Sequence, residues 1–356
     1  MTGAKHQAKR LDYGDPMRVF AIVAVVVIHV SAPLVLGFGT VPNLEWWAGV
    51  VVNTVSRWCV PVFIMLSGAL LLDPSREAGL GVFFRKRVMR VGIPLLVWSA
   101  LYLLWVPWWQ GNAMDLRGMF YQLMLGKPAY HMPFLFAIAG LYVITPALRR
   151  FIQAATRRER EYLIAVAMLI PLLVTLFGVL RSPAPPSLAI LKFLPYVGYF
   201  LLGYELRVRL AEGWDPGWYR RGFIACTAIM IPGTWALFTA FGPGHRAVYL
   251  NQYLSPLVIV MSVCVFLWMA RSGAVARWGR GEGALGRFIV AHGAPASLGV
   301  YLIHPMLLDL LKRVGINGEL SGGPIGIVIT VTVCCSIALG LVRGIQMVPY
   351  LRRIVG

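Results

Sequence analysis

Apolar residues run along this chain in long blocks separated by short polar or basic punctuation. Blocks lie near 17–37, 46–72, 91–110, 131–148, 161–180, 190–206, 222–241, 249–270, 292–311 and 323–342. A helix crosses a bilayer with roughly 20 apolar residues, so the blocks predict an all-α polytopic membrane protein of about ten transmembrane helices. An even number of crossings returns the chain to the side on which it began. No repeat of fixed period appears, and no charge-rich linker divides the chain. The organisation read from this pattern is a basic tail over 1–16, a ten-helix membrane core over 17–343 and a short tail over 344–356. In the long connection 111–130, the stretch from Met119 to Met124 predicts a short amphipathic piece at the membrane surface. Residues 178–187 read as a proline-rich turn.

Composition supports the pattern. Of 356 residues, 58% are hydrophobic and 13% charged, against about 25% charged in a soluble domain. Mean hydropathy is +0.72. A soluble enzyme, a disordered chain, a disulfide scaffold and a large extramembrane domain are all excluded. The net charge of +19 has a membrane explanation, because cytoplasmic loops collect Lys and Arg. With the helices alternating as read, one side holds 25 Lys and Arg and the other seven, Arg57 lying within a span. This places both termini in the cytoplasm and the protein in the plasma (inner) membrane. The first 18 residues lack an apolar core, so they read as a tail and not as a signal peptide. Five cysteines, all inside apolar stretches, form neither a disulfide nor a metal pattern. No metal and no permanently bound cofactor is expected, and no nucleotide-binding glycine motif is present.

Ionisable groups at bilayer depth are costly and therefore mark candidate sites. The first span reads Asp15-Pro-Met-Arg18, then ten residues, then His29. Eleven steps of 100° end about 20° past three full turns, so Arg18 and His29 share a helix face, about 16 Å apart along the axis. Arg18 falls at the cytoplasmic edge and His29 near mid-membrane. Asp15 suits an N-cap and Pro16 a first turn. A guanidinium binds phosphate or carboxylate through its planar fork, and a neutral imidazole takes a proton from a hydroxyl. Alternatively, Arg18 anchors topology and His29 bonds a neighbouring helix. Arg57 in span 2 needs a partner or a wet cavity, and Glu45 and Glu205 are available as partners. His131 opens span 4 beside Tyr130. His304 stands in Tyr301-Leu-Ile-His304-Pro305, where Pro305 frees a backbone carbonyl. Ser67-Gly68 reads first as small-residue helix packing. Arg85, Lys86, Arg87 and Arg90 form a cluster dense enough for a polyphosphate, although orientation alone also accounts for it.

Those segments resemble the type-3 membrane acyltransferases. The span DPMRVFAIVAVVVIH is similar to that family's Asp-x-x-Arg and Arg-x10-His signature, and RWCVPVFIMLSGALLL (57–72), FFRKRVMRVGIPLLVW (83–98), YHMPFLFAIAGLYVITPALRR (130–150), YVGYFLLGYEL (196–206) and SLGVYLIHPMLL (297–308) follow in order. The resemblance implies a ten-helix core, an acyl-CoA co-substrate from the cytoplasm and O-acylation of a sugar or other hydroxyl compound. It implies that Arg18 binds the donor or orders the site and that His29 is the base or acyl relay. Arg57, His131, Tyr301 and His304 occupy matching segments. Members often show His-x-Trp-Phe where this chain has His131-Met-Pro133-Phe134, which touches the shape of the acceptor entrance. Some relatives add a soluble esterase-like domain. Here the chain ends soon after span ten, so the core is expected to finish the transfer or hand it to a separate protein.

The expected activity is transfer of an acyl group, acetyl in the first instance, from acyl-CoA to a glycan, lipid-linked sugar or metabolite hydroxyl. The donor cluster and Arg18 would hold the CoA phosphates. A transporter that uses intramembrane Arg and His is the rival, and a non-enzymatic sensor or scaffold is a second.

Overall fold

The computed structural model describes residues 11–76, 79–180, 187–320 and 322–356. Lys5, Lys9, Arg10, Arg181 and most of the proline-rich turn lie outside the described residues. The helices are α1 (Gly14–Leu36), α2 (Asn43–Ser56), α3 (Cys59–Leu71), α4 (Leu80–Arg87), α5 (Ile93–Gln110), α6 (Leu116–Met124), α7 (Pro133–Ala154) and α8 (Arg157–Leu180). After them come α9 (Val197–Ala211), α10 (Tyr219–Phe241), α11 (Pro256–Arg271), α12 (Gly273–Gly279), α13 (Gly283–Phe288), α14 (Ala294–Arg313), α15 (Pro324–Met347) and α16 (Arg352–Val355). Among the described residues no strand occurs, and nine helical stretches are long and apolar enough to cross a membrane. The chain is an all-α, multi-pass membrane protein.

Nine of the ten predicted spans coincide with those stretches. The tenth, near 190–206, is interrupted: two 3-10 turns, Ala189–Leu191 and Leu194–Tyr196, precede the 15-residue α9. Pro195 contributes no backbone donor there, and α9 alone is about 22 Å long, short of the roughly 30 Å hydrocarbon core. Two other spans are longer than their apolar blocks. Helix runs without a break from Leu80 to Gln110 and from Gly283 to Arg313, each with one π turn, Val88–Gly92 or Ile289–Gly293. A proline, Pro94 or Pro295, follows each π turn closely, and its missing N–H favours that local rearrangement of the ladder. The predicted amphipathic piece is α6, capped by the Asp115 carboxylate, which accepts from Gly118 N at 2.8 Å.

Helix α1 begins at Gly14, so Asp15 falls in the first turn and is not the N-cap. The chain is already turning at that point, Gly14 N donating to Leu11 O at 2.9 Å. Asp15 complements the positive helix end and pairs with Arg18, Nη1 to Oδ1, at 2.9 Å. Packed on by α2, α3, α14 and α15, α1 is the central strut. Asp12 pairs with Arg280, and the Gln346 amide donates to Pro295 O at 3.0 Å. Gly293 lies against Val19 and Gly299 against Val355. The two described chain ends therefore share one end of the bundle, the basic end.

Small residues set the closest helix crossing. A β-carbon on Gly68 would run into the Phe200 backbone carbonyl, and one on Gly203 into that of Met65. Helices α3 and α9 thus meet backbone to backbone, as the Ser67-Gly68 pair anticipated. Just past α3, Asp73 accepts from Arg207 Nη2 at 2.6 Å and from Ser75 N and Oγ at 3.0 and 2.8 Å. Burial alone would raise the Asp73 carboxyl, but the Ser75 and Arg207 bonds outweigh it and hold the carboxyl below its ordinary value. A depressed carboxylate stabilises the fold above its unfolded pKa of about 3.9 and loses that contribution as pH falls through the folded value. Asp73→Asn is expected to melt earlier than the parent at pH 7, and the gap is expected to narrow at pH 3. Equal melting temperatures at pH 7 would contradict this.

Candidate active site

The sequence pointed to Arg18 and His29 on one face of one helix, and α1 carries both without a break. Their surroundings differ. Arg18 lines a cavity of about 220 Å³ at the basic end, with Arg87, Arg90, Ser67, Ser297, Tyr142 and Tyr301 among its walls. Arg87 also lies over the Phe83 and Tyr142 rings, 5.5 and 5.4 Å to the centroids. Three guanidiniums thus converge on one hollow with two serine hydroxyls. Arg85 and Lys86, from the same cluster, are exposed and stand outside its wall, because consecutive helical residues point about 100° apart.

His29 lines a different cavity, of about 590 Å³, farther along α1, together with Tyr130, Asp309, Lys312, Asn317 and Thr330. Neither cavity has both Arg18 and His29 in its wall, so the single hollow implied by their shared face is replaced by two compartments. A layer of rings stands between them. Phe134 and Tyr301 approach to 5.6 Å, Tyr301 and His304 to 6.0 Å, and His304 stacks on His29 at 5.2 Å with 30° between planes. The cause is the crossing of α14 over α1, which drops the Tyr301–His304 turn into the gap.

Around His29 the structure gathers the other candidate histidines. Tyr130 packs on His29 at 4.8 Å, while His131 meets Tyr102, Tyr301 and His304 at 4.8, 5.3 and 5.5 Å. The Tyr301 hydroxyl donates to His131 O, and Tyr102 donates to Leu302 O at 2.7 Å. Pro305 acts as predicted: the carbonyl four residues back, that of Tyr301, is left without its helical donor. His304 Nδ1 lies 2.7 Å from that oxygen. A carbonyl only accepts, so Nδ1 carries the hydrogen and Nε2 of the neutral ring keeps a lone pair. Among the described residues, His304 Nε2 and both nitrogens of His131 are buried without a hydrogen-bond partner. Native structures rarely leave such atoms alone, and each calls for water, substrate or a chemical role. Among the described residues no three His, Cys, Asp or Glu side chains come together to hold a metal ion.

Arg57 sits at the break between α2 and α3, where Pro61 cannot donate to the Arg57 carbonyl. Neither expected carboxylate reaches it. Glu205, at the basic end of α9, is buried against Arg160 at 3.1 Å and Arg209 at 3.5 Å, and Glu45 belongs to the first turn of α2, three helical turns from Arg57. Instead, Nε and Nη2 of Arg57 donate to Asn53 Oδ1, the first at 2.8 Å.

Sequence reasoning passed over Ser297, Tyr142, Asn53 and Asp309. Asn53 carried a legible signal, an amide four residues before an arginine inside an apolar run. Asp309 carried one too, as the lone carboxylate of its span, five residues after His304 and held by Trp105 Nε1 at 2.8 Å. Ser297 and Tyr142 carried none, since only the fold brings them beside Arg18.

A helical membrane bundle with clustered guanidiniums in one cavity and an imidazole in the wall of another fits a membrane-embedded group-transfer enzyme. The type-3 acyltransferase family, described as an acyltransferase domain, matches residues 12–339, and the chain belongs to that family. It is a membrane acyltransferase, and a transporter is not favoured. No curated protein and no solved structure matches the chain.

Proposed function

We propose that the protein is an O-acyltransferase of the plasma (inner) membrane, with both termini cytoplasmic, that uses acyl-CoA as co-substrate and retains no cofactor. The acyl group is taken as acetyl, and the acceptor as a hydroxyl of a glycan, a lipid-linked sugar or a small metabolite. The observation that carries this reading is the division of labour between the two cavities. Arg18, Arg87 and Arg90 offer the fork geometry and charge that phosphates require. His29 offers an imidazole in the wall of a roomier cavity that an acceptor can fill, with His304 stacked on it. The donor's extended arm then lies along α1, and the Phe134–Tyr301 layer must part for the thioester to reach His29. His29 accepts the hydroxyl proton while the oxygen attacks the thioester carbon, and the proton passes to the departing thiolate. A transient acyl-imidazole on His29 is the variant of this path.

The test is acyl-CoA-dependent thiol release by the purified protein in lipid vesicles, paired with mass spectrometry of glycans and metabolites from cells with and without the gene. A mass gain of one acyl group names donor and acceptor together. An exporter would release no thiol. Arg18→Lys keeps the charge but loses the bidentate fork, and its KM for acyl-CoA is expected to rise about tenfold or more, the worth of one charge-assisted bond of roughly 1.5–3 kcal/mol. An unchanged KM would make Arg18 a topology anchor.

A further inference from the structure

We propose that Arg57 is the cation that stabilises the oxyanion of acyl transfer, and that Asn53 is the residue that positions it. This rests on the acyl-CoA reading above.

Arg57 lies inside a 29-residue stretch long and apolar enough to cross a membrane. Among the described residues no carboxylate pairs with it. Its contacts among them are the Asn53 amide oxygen and Tyr253, whose ring centroid lies 5.9 Å from the guanidinium carbon and whose hydroxyl accepts a hydrogen bond from it. A cation at bilayer depth with only neutral dipoles around it is costly; a carboxylate on α11 would have been the simple remedy, and the carboxylate that α14 does carry, Asp309, is bonded to Trp105 instead. The missing negative charge is therefore supplied by something that comes and goes.

Asn53 shows where that charge forms. It is fully buried, and its Nδ2 donates to Ile28 O at 3.2 Å and to Ser31 Oγ at 2.9 Å. Ser31 Oγ in turn donates to Val27 O at 2.7 Å. Those partners are the residues on either side of His29. One amide thus grips the turn of α1 that carries the imidazole and, through its oxygen, orients the guanidinium. Arg57 lines a cavity of about 220 Å³ whose walls include Ala32 and Leu36, and the same two residues line the His29 cavity. The two hollows share a wall one and two turns beyond His29.

The reaction needs such a cation. When the acceptor oxygen bonds to the thioester carbon, the hydroxyl proton goes to the imidazole and the carbonyl oxygen becomes an alkoxide. The C–S bond then breaks, the carbonyl re-forms, and the sulfur leaves with the proton from the imidazolium. The products are an ester and CoA thiol, with atoms and charge balanced. A fixed guanidinium in an apolar site favours the alkoxide stage over the neutral thioester, which raises kcat with little effect on donor binding.

Arg57→Gln and Asn53→Asp, purified in vesicles and assayed for kcat and KM with acetyl-CoA, test the proposal, with melting temperature as the check on folding. Arg57→Gln is expected to lose about 10²–10³ in kcat, with KM for acetyl-CoA within about threefold. Asn53→Asp keeps the arginine but gives it a permanent carboxylate, and kcat is expected to fall at least about tenfold while the protein still melts cooperatively. Arg57→Lys, charged but without the fork, should fall between the parent and Arg57→Gln. Parental kcat in a folded Arg57→Gln protein, or in Asn53→Asp where Arg57→Gln fails to fold, would overturn the proposal, as would a raised KM at unchanged kcat. A parent protein that releases no thiol from acetyl-CoA would instead refute the donor reading on which the proposal rests.

Discussion

His29→Ala is expected to abolish acyl transfer while leaving an inserted, folded protein. The reason lies in what His29 does and does not touch. Its ring makes no hydrogen bond among the described residues, is only half-buried and looks into a cavity, so its loss strands no polar partner and opens little new void. General-base catalysis contributes about 10²–10⁴-fold, and the acyl-imidazole variant would lose still more. Thiol release and acceptor labelling should drop by at least about 10², with the melting temperature within a few degrees of the parent. His304→Ala provides the contrast. His304 is fully buried and its Nδ1 satisfies the carbonyl that Pro305 frees, so deleting it should cost stability as well as activity. Sustained acyl transfer in a well-expressed His29→Ala protein would remove His29 from the chemistry.

The second large effect is structural. Gly203→Val is expected to prevent assembly of the helix bundle, or to lower its melting temperature severely. The added atoms meet the Met65 backbone, which cannot swing aside as a side chain would. Overpacking typically costs about 1–3 kcal/mol, and a rigid backbone obstacle belongs at or beyond the top of that range. Helix α3 also carries Phe63 and Ser67 on the wall of the basic-end cavity, so a partly folded variant should bind acyl-CoA poorly. Gly340→Ala and Gly344→Ala on α15 are the controls. Nothing lies within 4 Å of a β-carbon at either position, and the helix should gain from alanine, by up to about 1 kcal/mol on the soluble-helix scale. If Gly203→Val melted like those controls, the close crossing of α3 and α9 would be wrong.

Much of this was legible along the chain. Long apolar blocks identify membrane helices because a bilayer demands length and saturation of backbone hydrogen bonds within each segment. Arg18 and His29 could be placed on one face because helical phase is a local property. The freed Tyr301 carbonyl followed from Pro305 for the same reason. The proline-containing segment near 190–206 was harder to read, since composition counts apolar residues without registering a break in the ladder. The basic cluster at 85–90 was legible as charge, but which of its members face a cavity was not. Arg87 and Arg90 join Arg18, whereas Arg85 and Lys86 face away, and that depends on how α4 and the following π turn sit against α7.

By itself, then, the sequence determined that this chain is an all-α membrane protein with a cation and an imidazole three turns apart on its first helix, because those are consequences of local geometry and of the solvent the chain must live in. Only the tertiary structure decided that the two groups open onto separate cavities, that His304 rather than solvent stacks on His29, and that Arg57 is steadied by Asn53 instead of a carboxylate. The first two depend on side chains brought in from helices distant in sequence, and the third on the fold bringing no carboxylate among the described residues to Arg57, whose Asn53 partner lies one helical turn away; crossing angles between helices are set by packing that no single segment encodes.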